Sequence, residues 1–96
     1  MGAGIEVQGL NGESIVFDGT TIAKFKHHGK QETARNPVST YRETSVKQAT
    51  KLFGKPKVPA EYEVLLACSS IMSLTVPEEG KADLDAFIAA LDATRS

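Results

Sequence analysis

Tryptophan is absent from this chain, aromatic residues make up 6 % of it, and cysteine occurs once, as Cys68. A core built from it must therefore be mostly aliphatic. A single thiol excludes an intrachain disulfide and a cysteine-based zinc site, and it fits a reducing compartment, so a cytoplasmic setting is expected. No long apolar run occurs either. The longest, VLLAC, is far too short to cross a bilayer, so no transmembrane segment is expected. The opening MGAGIEVQG carries an acid where a secretion signal would be basic, and Glu6 stands where a myristoylation signal wants Ser or Thr. Catalytic signatures are missing as well. There is no glycine-rich phosphate loop, nucleophile elbow, HExxH or EF-hand spacing, so the expectation is a protein that is not an enzyme and uses no cofactor.

What is present fits one globular domain, residues 1–96. Apolar residues at 41 % and charged residues at 24 % sit near the globular average, and the length allows a single modest core. The formal net charge is only -1, but the charges are segregated. Residues 1–23 hold three acids and no base, residues 24–57 hold nine bases against two acids, and residues 58–96 hold seven acids against two bases. Such segregation produces a local positive potential whatever the total charge is.

Turn chemistry punctuates the first third. IEVQG alternates apolar and polar residues and meets Asn11-Gly12, and SIVFDGTTIAKF contains Asp18-Gly19; both pairs are hairpin signals. Three antiparallel strands in meander order are expected, at roughly 4–9, 13–18 and 20–27. On the third, Ile22, Lys24, Lys26 and His28 share one face and Thr21, Ala23, Phe25 and His27 the other. The expected orientation has Phe25 in the core and both lysines in solvent. Residues 32–43 read as a strand or loop, with Pro37 limiting them to a sheet edge. TSVKQATKLFGKP reads as a short helix or turn near 45–53, with Ser45 and Gln48 at capping-box spacing and Gly54 and Pro56 as a stop, although Thr44, Val46 and Thr50 are β-branched. EYEVLLACSSIMSLTVP reads either as a helix starting at Pro59 or as two short strands divided at Ser69-Ser70, and the alternation of Met72, Leu74 and Val76 against Ile71, Ser73 and Thr75 favours the strands. Leu84, Phe87, Ile88 and Leu91 then fall at i, i+3, i+4 and i+7, the stripe of an amphipathic helix, with Asp83 and Asp85 in its first turn. The expected fold class is α+β: a curved antiparallel sheet of about five to seven strands closed by this C-terminal helix.

The run IEVQGLNGESIVFDGTTIAKFKHHG resembles the opening of small bacterial pleckstrin-homology-like domains of unknown function, and SSIMSLTVPEEGKADLDAFIAAL is similar to their strand-then-helix ending. The resemblance covers about half of the chain, at its two ends. TSVKQATKLFG, read as helix, departs from it, since such domains continue there with strands. The resemblance implies a binding or assembly module, for anionic lipid headgroups in some members and for proteins more often, and carries over no catalytic residue.

The basic segment supplies the candidate site. Lys24, Lys26, Lys30 and Arg35 form its centre, and His27, His28, Arg42, Lys47 and Lys51 extend it. The histidines add charge to this face at mildly acidic pH, and as neighbours on a strand they point apart and make a poor metal pair. Cys68, inside VLLACSSI, reads as a buried structural thiol, and Tyr41 and Tyr62 as packing residues. The patch is expected to engage an acidic protein surface. Sequence-independent binding of nucleic acid or of an anionic headgroup is the alternative, and a homo-oligomer stays open. Nucleic-acid binding meets the charge requirement but lacks interleaved aromatics, because Phe25 alternates away from Lys24 and Lys26. Clustered cations must be neutralised by a partner or by acids of the chain itself, and the acidic C-terminal third is the expected internal source.

Overall fold

The computed structural model describes residues 4–50, 54–55 and 58–94. Four strands, β1 (Ile5–Gln8), β2 (Ser14–Phe17), β3 (Thr21–Lys26) and β4 (Gln31–Pro37), form an antiparallel meander, and β5 (Glu43–Gln48), β6 (Glu61–Ala67) and β7 (Ile71–Pro77) form a second. Helix α1 (Lys81–Ala93) follows. The chain is thus α+β with two antiparallel sheets, of four and three strands, where one continuous sheet was expected. The break falls between β4 and β5, at the short 3-10 turn Val38–Thr40 that follows Pro37, where the chain leaves the first sheet for the second.

The turn residues act as their chemistry requires. Asn11 (φ 61°) and Gly12 (φ 73°) both adopt left-handed backbone between β1 and β2. Between β2 and β3 the Asp18 carboxylate accepts the backbone N–H groups of Thr20 (2.9 Å) and Thr21 (2.7 Å), closing the turn from inside.

The expected helix near 45–53 is replaced by β5 over its first part, and residues 51–53 lie outside the described residues. The β-branched Thr44 and Val46 lie opposite Leu66 and Val64 of β6, so a strand partner was available and outweighed the capping-box spacing.

One core joins both sheets and the helix. Val7, Ile15, Phe17 and Ile22 come from the first sheet, Val64, Leu66, Met72, Leu74 and Val76 from the second, and Leu84, Phe87 and Leu91 from α1. Tyr41 is buried between them and donates its hydroxyl to Asp92 Oδ1 at 3.0 Å, tying the helix to the entry of β5. The sheets are also joined at their backbones: a Cβ on Gly9 would stand 2.8 Å from the Thr75 carbonyl oxygen, so only glycine lets the end of β1 approach β7 so closely. Buried Asn36 of β4 completes the junction, donating to Ser70 Oγ (3.0 Å) and accepting from Ser69 Oγ (2.6 Å).

Register inverts one expectation. Phe17 lies opposite Ile22 and Ile15 opposite Lys24, and directly opposed residues share a face. Ile22, Lys24 and Lys26 do share a face, but it is the core face, and half-buried Phe25 lies on the other with Ala23. Buried aliphatic neighbours decide this: Ile22 is fully inside beside Phe17, and the alternation carries the lysines with it.

Candidate functional site

The basic segment divides into neutralised and exposed cations. Lys24, at the end of the core face, is 14 % exposed in its side chain, and its Nζ lies 3.2 Å from Glu13 Oε1. A partly buried ammonium needs such a partner, and Glu13 stands one residue before β2 to provide it. Arg35 is opposite Ala23 on the other face. Its Nη2 is 2.6 Å from Glu32 Oε1, its Nη1 donates to Thr21 Oγ1 at 2.6 Å, and Asp18 Oδ2 stands 3.8 Å away. These contacts hold the guanidinium pKa above its ordinary value and the Glu32 carboxyl below its own. The acids that neutralise Lys24 and Arg35 are therefore Glu13, Asp18 and Glu32. They come from the N-terminal part of the chain, and the expected C-terminal source is not the one used here.

The four residues expected at the centre do not form one cluster. The reversal near Gly29 places Arg35 on the face opposite Lys24, and a bulge shifts the pairing so that Lys24 faces Ala34 while Phe25 faces Glu32. Thr33, the extra residue, donates its hydroxyl to the Lys24 carbonyl at 3.3 Å.

Lys26, His27, His28 and Lys30 stay together, all exposed, at and beside the turn between β3 and β4. Among the described residues no ion pair engages Lys26 or Lys30. The turn has a fixed shape. His27 (φ 56°), His28 (φ 57°) and Gly29 (φ 87°) are consecutive left-handed residues, which for two histidines is strained unless something outside the turn holds them. The His28 backbone N–H donates to the Gly12 carbonyl at 2.9 Å, and the His28 ring lies against Gly12, so the β1–β2 turn supplies that hold. The histidines are already off the strand, and the opposed-face argument against a shared metal does not apply to them.

The other predicted extensions lie elsewhere. Arg42 is exposed just before β5, Lys47 is exposed on β5, and Lys51 lies outside the described residues. Lys47 borders a groove of about 440 Å3 on the outer face of the second sheet, with Leu65, Ser73 and Thr75 along it and Glu13 and Glu63 at its sides. Leu65 is 49 % exposed there. Reading Ser45 and Lys47 as helical hid this groove; the β-branched residues around them were the signal for a strand.

Cys68 is buried, and removal from water pushes its thiol pKa up, against a smaller opposing hydrogen bond to Thr40. Among the described residues no helix is long and apolar enough to cross a membrane. Compared with known proteins, the chain matches no family model, and no curated protein or solved structure matches it.

Proposed function

We propose that this chain is a non-enzymatic, pleckstrin-homology-like binding module of the cytoplasm, and that the basic β3–β4 turn engages an acidic segment of a protein partner. The observation that carries the reading is the contrast between Lys24 and Arg35, each matched to carboxylates, and Lys26 and Lys30, which stand exposed on a pre-shaped turn without an ion pair among the described residues. A turn already locked against Gly12 loses little conformational freedom when it binds. The order of four strands, three strands and a C-terminal helix, with β5 where the sequence resemblance wanted a strand, supports the pleckstrin-homology-like assignment. The buried, pKa-raised Cys68 thiol supports the non-enzymatic one, since a nucleophile needs a thiolate within reach.

A protein is favoured over nucleic acid by what lies beside the turn. Glu13, next to Gly12, borders the outer groove of the second sheet. Leu65 in the same groove offers an apolar contact suited to a peptide.

The test is fluorescence anisotropy with a labelled glutamate-rich peptide, beside random-sequence DNA and phosphatidylserine vesicles. The wild-type chain is expected to bind the peptide, and Lys26→Glu/Lys30→Glu to abolish that binding with an unchanged melting temperature. Raised salt should weaken wild-type binding, because exposed charges are screened over a Debye length of about 8 Å at physiological ionic strength. Equal peptide affinity in the double variant would refute the proposal, and binding of DNA or vesicles alone would move the surface to the other class of ligand.

A further inference from the structure

Strand β5 forms one edge of the three-stranded sheet, and among the described residues it pairs only with β6. Every residue from Glu43 to Gln48 is exposed except half-buried Thr44, and Val46 is 40 % exposed. The phase of the ladder follows from the Ala49 N–H, which donates to the Glu61 carbonyl at 2.8 Å. Alternation from that pair turns the backbone groups of Glu43, Ser45 and Lys47 toward β6 and those of Thr44, Val46 and Gln48 outward. Among the described residues, no bond from another element engages these three outward amides. Between Glu43 and Gln48 the edge has no proline and no shift of register to deter another strand, and a single lysine, Lys47, is its only basic residue.

We infer that β5 pairs antiparallel with β5 of a second copy of this chain, about a two-fold axis at Ser45. The charge pattern of ETSVK selects both the occupant and the register. Glu43 and Lys47 stand two residues on either side of Ser45 and point to the same outer face. Centring on Ser45 places Glu43 opposite the partner's Lys47 and Lys47 opposite the partner's Glu43, giving two symmetric ion pairs. Thr44 then meets the partner's Val46, so outward amides pair with outward carbonyls and β-branched side chains oppose each other. The neighbouring registers that keep the faces matched do worse. Centring on Thr44 or Val46 sets a charge against Ser45, and centring on Lys47 sets the two lysines against each other. An arbitrary foreign strand would have no such symmetry to match, which is why a second copy is the occupant. The product is a six-stranded sheet that leaves the β3–β4 turn of each copy free, so it stands whether or not that turn binds an acidic partner.

Sedimentation equilibrium over a concentration series of the full chain tests this. The wild-type protein is expected to show a monomer–dimer equilibrium. Glu43→Lys and Lys47→Glu, made separately, each replace two attractions by two repulsions and should weaken dimerisation roughly tenfold or more. The double swap Glu43→Lys/Lys47→Glu should restore it, a rescue that a merely structural role for either residue would not give. Glu43→Lys is the cleaner single variant, because Ala67 lies opposite Glu43 on β6 whereas Glu63 lies opposite Lys47. The inference is overturned if the wild-type chain stays monomeric at the highest concentration reached, including the case in which it accepts only a foreign peptide strand. A dimer indifferent to Glu43→Lys, or a double swap without rescue, overturns it equally.

Discussion

The backbone N–H of His28 donates to the carbonyl of Gly12 at 2.9 Å, and the His28 ring lies 3.2 Å from where a Cβ on Gly12 would be. Two turns far apart in sequence thereby hold each other's left-handed backbone, and the basic residues of one are positioned by the other. Gly12→Ala should disturb both: a Cβ there meets the His28 ring and backbone at 3.2 Å, at a φ of +73°. The expected cost is about 1–2 kcal/mol in a urea melt, with faster amide exchange at His28 than at core positions such as Leu66. An unchanged exchange rate at His28 would show that the turn is held by something else.

Lys24 and Lys26 share a strand face but should respond oppositely to charge reversal. Lys24→Glu sets a carboxylate beside Glu13 at a site only 14 % exposed and should lower stability by about 1–2 kcal/mol, whereas Lys26→Glu should leave the melting curve in place. Thermal melts of the two single variants, with Glu13→Gln added to the first as a partial rescue, check this.

Helix α1 is held by one stripe. Phe87, 1 % exposed, should cost about 3–5 kcal/mol on replacement by Ala. Ile88, half-buried at the rim of the same core, should cost about 1 kcal/mol, scaled down by its remaining exposure. Urea denaturation separates the two, and equal losses would contradict the packing of α1.

Asp18 makes stability depend on pH. The N–H groups of Thr21 and Thr20 hold its carboxyl well below the usual carboxylate range, with the Thr21 and Thr20 hydroxyls adding to them. Because the folded pKa is the lower one, the stabilisation is complete above the unfolded value of about 3.9 and disappears as pH falls from there toward the folded value. Asp18→Ala should therefore melt below wild type at neutral pH, and the gap should narrow as the solution is made more acidic than about pH 4. A gap that stays constant down to strongly acidic pH would refute the hydrogen-bonded turn as its cause. Glu32, lowered by Arg35, acts in the same direction.

Sequence alone determined the features whose causes are local. The strands on either side of Asn11-Gly12 and Asp18-Gly19 follow from turn residues that tolerate left-handed backbone or bind their own amides, and α1 follows from the spacing of Leu84, Phe87 and Leu91. Tertiary structure decided whatever needed a partner distant in the chain. Val46 is a strand residue because Val64 lies opposite it, and Lys24 faces inward because Ile15 and Ile22 are drawn into a core shared with the second sheet and the helix. The candidate surface was decided the same way. Charge counting finds nine cations in the middle third, but burial and register determine which of them meet Glu13, Asp18 or Glu32 and which stand exposed at the β3–β4 turn with no ion pair among the described residues. Charge is a property of the residue, whereas its neutralisation depends on distance, and distance between remote residues exists only in the folded chain.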